Sequence, residues 1–312
     1  MDVMSANTVF GLDVWSDESL PCLHGASAAR TGRVLDILID RRDGVGDWPL
    51  DAQLISAQRQ ADGTFAVLIE AHAQAGYRLW GPRYGRHVIS SDGRRLRCCP
   101  DGVQAADWQR FLIGQVLPFA AALHELEVLH AAGVTFCGRA LALLGASGAG
   151  KTSLALALCR QGAEFLADDV LALERHEGAL LAHPGTPAAG VAHQEATRLG
   201  ARLTPEAVLA VNERERLIHL APRRRPAVLG ALLFLDRHAD GPSEPVIARC
   251  AETQMLLGST FNFVLDDPER LERLLDVCAT AARGAVARVS FGPACDADRL
   301  ATAVAGWFES LR

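Results

Sequence analysis

Residues 139–174 read RALALLGASGAGKTSLALALCRQGAEFLADDVLALE, and the interpretation of this stretch decides the fold. Its opening, RALALLG, is a buried-strand run that ends on Gly145. KTSLALALCRQG is an Ala/Leu helix closed by Gly162. AEFLADDVLALE, residues 163–174, reads as one further strand carrying two adjacent acids. Between the first strand and the helix lies GASGAGKT, residues 145–152, a full match to G-x-x-x-x-G-K-[ST] in the strand–loop–helix frame that gives the match meaning. Glycines let the chain curl without Cβ clashes, so successive N–H groups can point inward at phosphate oxygens. The helix start near Gly150 adds its positive end to the same spot. The expected nucleotide contacts are Gly145, Ala146, Ser147, Gly148, Ala149, Gly150, Lys151, Thr152 and Ser153, with Lys151 on the outer phosphates and the Thr152 hydroxyl on Mg²⁺.

Composition sharpens the reading of Lys151. The 312 residues hold 31 Lys and Arg together, and Lys151 is the single lysine among them. A chain that otherwise always uses Arg keeps Lys at one position. A compact ammonium on a flexible stem fits inside a loop wrapped around a phosphate; the broad guanidinium fork does not. The net charge of −6 and the lack of a broad basic stretch exclude a nucleic-acid binder. The eight cysteines form no CxxC pair, which argues against a zinc site. MDVMSANTVFGLDVWSDESL does not read as a signal peptide, and no window has the roughly 18 apolar residues of a membrane span. A cytoplasmic protein with reduced thiols and no membrane contact is expected.

Working outward, residues 1–104 read as a β-rich N-terminal domain, a candidate substrate-recognition unit. GRVLDILID, TFAVLIEAHAQ and GYRLWG are strand runs, and Asp92-Gly93 is a hairpin signal. His24, His72 and His87 stand isolated there and read as structural. Residues 105–127 read as a connecting helix with an apolar stripe of Trp108, Phe111, Leu112, Phe119, Leu123 and Leu126. Pro118 should kink or split it. Residues 128–312 form the remaining domain. AVLGALLFLDR (227–237) is a strong strand. DPERLERLLDVCATAARG (267–284) is an amphipathic helix with Leu271, Leu274, Leu275 and Cys278 on one side, and DADRLATAVAGWFESL is a C-terminal helix.

A cradle binds nucleotide without fixing the reaction. In a parallel sheet the end of the strand after the cradle helix lies beside the loop, which brings Asp168 and Asp169 to the phosphates. One carboxylate can hold Mg²⁺, directly or through water; the other can accept a proton from an attacking hydroxyl. Adjacent strand residues face opposite sides, so the two need not share a role.

The run from LHAAGV (129–134) through LADDVLAL resembles the catalytic domain of HPr kinase/phosphorylase. It is more similar still to the HPr-kinase-like proteins of peptide-modification gene clusters, some of which phosphorylate the C-terminal serine of lasso-peptide precursors. The resemblance covers residues 128–174 and rests on His130, the loop from Gly145, and the Asp168-Asp169 pair. It implies an α/β fold: a P-loop kinase domain of the HPr-kinase/PEP-carboxykinase-like type with a smaller β-rich N-terminal domain. It also implies roles: Asp168 as general base toward a serine hydroxyl, Asp169 with Thr152 at the metal, and His130 beside the transferring phosphate. HPGTPAAGV (183–191) stands where the family carries a glycine motif with an acid, and it lacks that acid. The family's reverse reaction with inorganic phosphate is tied to that motif, so a one-way kinase is expected.

The resulting expectation is an ATP- and Mg²⁺-dependent serine kinase with catalytic residues Asp168, His130 and Lys151. Its acceptor is a serine on a peptide or small protein, such as a lasso-type precursor, and family members assemble as homo-oligomers. An NTPase switch or a small-molecule kinase is the alternative. Arg198, Arg202 and Arg223 to Arg225 are candidates to hold a substrate carboxylate or phosphate.

Overall fold

A computed structural model describes residues 7–26, 30–41, 48–100, 102–199, 208–211, 215–220, 223, 225–250, 253–261 and 267–311. The protein is mixed α/β, with more sheet than helix. Its first sheet has eight strands: β1 (Asn7–Val9), β2 (Leu12–Ser16), β3 (Val34–Ile39), β4 (Gln53–Arg59), β5 (Phe65–His72), β6 (Gly76–Gly81), β7 (Gly85–Ile89) and β8 (Arg95–Cys99). Their spatial order is β1-β2-β3-β8-β7-β6-β5-β4. In β3, Leu35, Ile37 and Ile39 are buried while Val34, Asp36 and Leu38 are exposed, the period of two that a sheet with one solvated face requires. The Asp92-Gly93 signal falls on the turn between β7 and β8, with Gly93 at φ 70°.

The helical stretch after β8 is one rod with a widened turn. α1 (Ala105–Phe111) runs into a π-helical segment (Leu112–Val116) and then α2 (Leu117–Leu123). The Leu117 N–H donates to the Leu112 carbonyl, five residues back. Pro118 has no N–H to give and would crowd the turn before it. The chain therefore absorbs the proline by widening that turn rather than by breaking the rod. Trp108, Phe111, Leu112 and Phe119 are buried against the first sheet, in a core that also takes Leu35, Ile89, Val128 and Leu217. Each such large side chain stabilises the fold by roughly 1.5–3 kcal/mol.

The second sheet has nine strands: β9 (Glu127–Leu129), β10 (Ala132–Phe136), β11 (Arg139–Leu144), β12 (Glu164–Ala167), β13 (Leu171–His176), β14 (Ala179–Ala182), β18 (Ala227–Arg237), β19 (Val246–Arg249) and β20 (Ala285–Phe291). A small third sheet joins β15 (Ala188–Ala192), β16 (Val208–Val211) and β17 (Glu215–His219). The remaining helices are α3 (Lys151–Arg160), α4 (His193–Leu199), α5 (Thr253–Leu257), α6 (Pro268–Arg283) and α7 (Ala297–Glu309).

Two expectations are corrected here. The second sheet is mixed: β11 and β20 pair parallel to β18, but β12 pairs antiparallel to β10, which pairs antiparallel to β11. Two reversals make β12 run the same way as β11, so its end still reaches the loop after β11. Residues 163–174 are also not one strand. β12 stops at Ala167 and β13 starts at Leu171. Between them the Val170 N–H closes on the Asp168 carbonyl at 2.7 Å, with Asp169 in the left-handed region at φ 59°. Aspartate is among the few side-chain-bearing residues that accept this conformation.

α6 is capped at both ends. The Asp267 carboxylate accepts from the Glu269 N–H at 3.0 Å, Pro268 occupies the first turn, and Gly284 ends the helix. Its buried stripe differs from the expected one. Leu274, Val277, Cys278 and Ala281 face the core, while Leu271 and Leu275 are 39% and 48% exposed. No described helix is long and apolar enough to cross a membrane.

Candidate active site

The loop between β11 and α3 turns at Gly148 and Gly150, whose φ of 79° and 99° lie in the region that L-residues avoid. Gly150 caps α3 in the left-handed conformation, so the first free N–H groups of the helix open toward a cavity of about 370 Å³. Ser147, Gly148, Gly150, Lys151, Thr152 and Ser153 line that cavity. His130, Asp169 and Gly190 close it from the other side. Ala149, Gly150 and Ser153 also line a neighbouring cleft of about 710 Å³, bounded by Phe291 at the end of β20 and by the start of α7. Gly145 and Ala146 lie beneath the loop, and their carbonyls accept from the Lys151 ammonium at 2.8 and 3.3 Å.

Lys151 is 6% exposed. Burial lowers its pKa, and the charges of Asp169 and Asp168 oppose that shift. Its Nζ lies 3.3 Å from His130 Nε2. His130 is held by its own backbone: its N–H donates to the Ser259 carbonyl at 2.6 Å, and its ring hydrogen-bonds the Asp169 backbone. It sits in the loop between β9 and β10 rather than on a strand. Burial and the neighbouring Lys151 charge lower its pKa, so it stays neutral beside the ammonium.

The two acids diverge at the turn between β12 and β13. Asp168 lies behind the loop. Its Oδ1 accepts from the Thr152 hydroxyl at 2.7 Å and its Oδ2 from the Gly190 N–H at 2.9 Å. Burial and the Asp169 charge push its carboxyl well above the ordinary carboxylate range. Asp169 is the acid that lines the cavity. Burial alone would raise it, but the guanidinium of Arg110 bonds it directly and holds it below the ordinary range as an ion. Thr152 and the two carboxylates are hard oxygen donors, the set that suits Mg²⁺ shared with nucleotide phosphates.

Three residues that sequence reasoning missed belong to this site. Arg110, on α1, reaches Asp169 and also donates through Nε to Glu215 Oε1 at 2.6 Å. Glu215 opens β17. Arg237, at the end of β18, lines both clefts and makes no hydrogen bond or ion pair with another side chain among the described residues. A signal for Arg237 existed, since strands of this sheet that run with β11 end beside the loop. HPGTPAAGV also belongs here, because Gly190 supplies the amide on Asp168.

The candidate substrate arginines are not drawn together. Arg223 is tied to Glu164, to the Thr135 hydroxyl at 3.3 Å and to the Arg225 carbonyl at 3.0 Å, at the opposite end of β12 from the acids. Arg202 and Arg224, and the side chain of Arg198, lie outside the described residues. His24, His72 and His87 all lie away from the cavity. His24 meets Ser19 Oγ at 2.7 Å, His72 accepts from the Ala75 N–H at 3.1 Å, and His87 meets the Tyr84 carbonyl at 3.0 Å.

No family model matches the chain, and no curated protein does. Among solved structures, the chain is similar to the Hpr(Ser) kinase/phosphatase from Coxiella burnetii at 14% identity. That match covers 50% of this chain and 99% of the other, with a TM-score of 0.26. A likeness this distant fixes neither fold nor activity.

Proposed function

We propose that the protein is an ATP-dependent kinase that phosphorylates a serine hydroxyl. The observation that carries this reading is convergence on one cavity. The glycine loop with Lys151 and Thr152, and the Asp169 carboxylate, line one cavity of about 370 Å³, and Asp168 bonds the Thr152 hydroxyl from behind. Phosphoryl transfer needs little covalent help, so a site made of positioned charges suffices. The loop amides and Lys151 receive the β- and γ-phosphates. Mg²⁺, when bound, neutralises charge on those phosphates. Thr152 is the side chain that would hold it, with Asp168 supporting the Thr152 hydroxyl from behind.

The geometry favours the reverse of the division of labour that the resemblance implies. Asp168 is engaged by Thr152 and Gly190 and sits on the metal side. Asp169 faces the cavity as an ion and is the better placed of the two to orient the acceptor. The serine Oγ attacks the γ-phosphorus, an O–P bond forms, and the bond to the β-phosphate oxygen breaks. The hydroxyl proton passes to the Asp169 carboxylate, and ADP departs. His130, neutral and bonded to the Asp169 backbone, keeps that residue in place beside Lys151. Arg237 is free to meet a phosphate or an acceptor carboxylate at the seam of the two clefts. The larger cleft, with Phe291 and Leu300 on its wall, suits the nucleoside. A lasso-type precursor peptide ending in serine is the acceptor class we propose. ATP and Mg²⁺ are the cofactors, and the setting is cytoplasmic.

Mass spectrometry of serine-ended peptides incubated with ATP and Mg²⁺ tests this. An added phosphate on serine is expected, lost in Asp169→Asn by a factor of about 10²–10⁴ while nucleotide affinity holds. Fast ATP hydrolysis that no peptide alters would assign the site to an NTPase instead. Should Asp168→Asn be the variant that keeps nucleotide and Mg²⁺ affinity yet loses transfer, the two acids hold the roles the resemblance implies.

A further inference from the structure

Arg110 is the least expected resident of the cavity's surroundings. It comes from α1, well before the glycine loop in the sequence, and is mostly buried, with its side chain 22% exposed. Its guanidinium spans two carboxylates, Asp169 on the turn after β12 and Glu215 at the start of β17. Gly190 makes room for the bridge: a Cβ there would lie 2.5 Å from Glu215 Oε2 and 3.1 Å from an Arg110 nitrogen. The same Gly190 donates its N–H to Asp168. One guanidinium and one glycine thus tie both acids to the third sheet. A planar fork with several donors suits this task, because it can fix two carboxylates in one geometry.

The residue beside Arg110 is anchored elsewhere. Phe111 stacks on Tyr84 with ring centroids 4.7 Å apart and planes 5° apart, and it also meets His87 at 5.4 Å. Asp107, one turn earlier, accepts from Arg83 at 2.8 Å. Tyr84, Arg83 and His87 belong to the β6–β7 hairpin of the first sheet. The position of the Arg110 guanidinium is therefore set by the first sheet, while its other end holds Asp169.

We propose that Arg110 is a positioning residue: it fixes the Asp169 carboxylate over the glycine loop and makes phosphoryl transfer depend on the packing of the N-terminal sheet against α1. The role in transfer rests on the kinase reading above. Arg110 lines neither cleft. It acts through Asp169, so its loss should lower turnover more than binding. A carboxylate displaced by about 1 Å can cost on the order of 100-fold in rate.

The test compares Arg110→Ala and Arg110→Lys with wild type in the full chain. For Arg110→Ala we expect kcat to fall by about 100-fold with nucleotide affinity changed less than about 3-fold. Arg110→Lys, which can reach one carboxylate but not both, should recover part of the loss. Methylguanidinium, at concentrations far below denaturing, should restore turnover to Arg110→Ala, and equimolar sodium chloride should not. Unchanged kcat in Arg110→Ala, or equal fall of turnover and nucleotide affinity without rescue, would overturn the proposal. A second arm needs no activity. In thermal unfolding, Arg110→Gln and Asp169→Asn should be non-additive, because each removes the same bridge. Additive effects sink the bridge itself. If wild type transfers phosphate to no acceptor and not to water, the kinase reading fails, and the unfolding cycle still decides on Arg110.

Discussion

The loop of residues 145–152 and the Arg110 bridge build two sides of one cavity, and they are specified in opposite ways. The loop needs eight consecutive residues and the start of the helix after them. The bridge needs Arg110, Asp169 and Glu215, separated by 59 and 105 positions. A local motif carries its geometry with it, because glycine conformations and helix polarity are fixed by neighbours in the chain. A bridge between distant segments has no geometry until two sheets and a helix have packed. One side of the site should therefore survive loosening of the fold far better than the other.

The largest test bears on the loop. Lys151→Ala should weaken nucleotide binding and reduce transfer by about 10²–10³-fold, since one donor aimed at developing charge is worth roughly 3–4 kcal/mol. Lys151→Arg should fail nearly as badly if the cavity rejects the wider head. A Lys151→Arg protein with wild-type transfer would mean that any cation serves, and the loop's half of the comparison would lose its specificity. Isothermal titration with ATP and steady-state kinetics read both.

The next test bears on the seam behind Arg110. His87 is fully buried, donates from Nε2 to the Tyr84 carbonyl, and leaves Nδ1 without a partner. Burial pushes its pKa down to about 4. The unfolded chain therefore binds a proton from pH 6.5 downward that the folded chain refuses, and stability falls as pH drops from about 6.5 to about 4. The full effect is on the order of 3 kcal/mol. Asp168, pushed up by burial, works in the opposite direction, so the difference between wild type and His87→Gln isolates the imidazole. We expect wild-type stability relative to His87→Gln to fall by that amount as pH drops from about 6.5 to about 4. A difference that stays flat between pH 7 and 4 would mean that the seam takes the charge without loss.

The smallest test is a control on both regions. Asp267→Ala removes the α6 cap, should cost about 1 kcal/mol in chemical denaturation, and should leave transfer unchanged. A loss of transfer there would show that global looseness, not the seam, limits the site.

Legibility in the sequence divides along the same line. The strand over 227–237 and the caps of α6 are local signals, and the structure has them at those residues. The strand–loop–helix frame around Gly145–Thr152 is equally local. The split between β12 and β13 was hidden, because AEFLADDVLALE has a continuous apolar pattern and nothing in it signals that Asp169 adopts φ 59°. The division of Asp168 from Asp169 comes from that hidden turn. Leu271 and Leu275 fit a helical stripe by spacing, but the face that packs is chosen by the sheet beneath, and it takes Val277 and Ala281 instead. Arg110 carried no signal at all among 30 arginines. Only assembled strands give it two carboxylates to hold.

The π-helical turn at Leu112–Val116 has a consequence for the length of the chain there. Such a turn holds one residue more than a regular one, and each residue rotates a helix by about 100°. Removing a single residue from this segment would let the rod close into ordinary α-helix with α2 still seated in its core. Everything before the cut would then swivel by about a quarter turn, and Arg110 would point away from the acids. The spacing between Pro118 and Arg110 is therefore a gauge: it sets the angle at which the first half of the protein addresses the second.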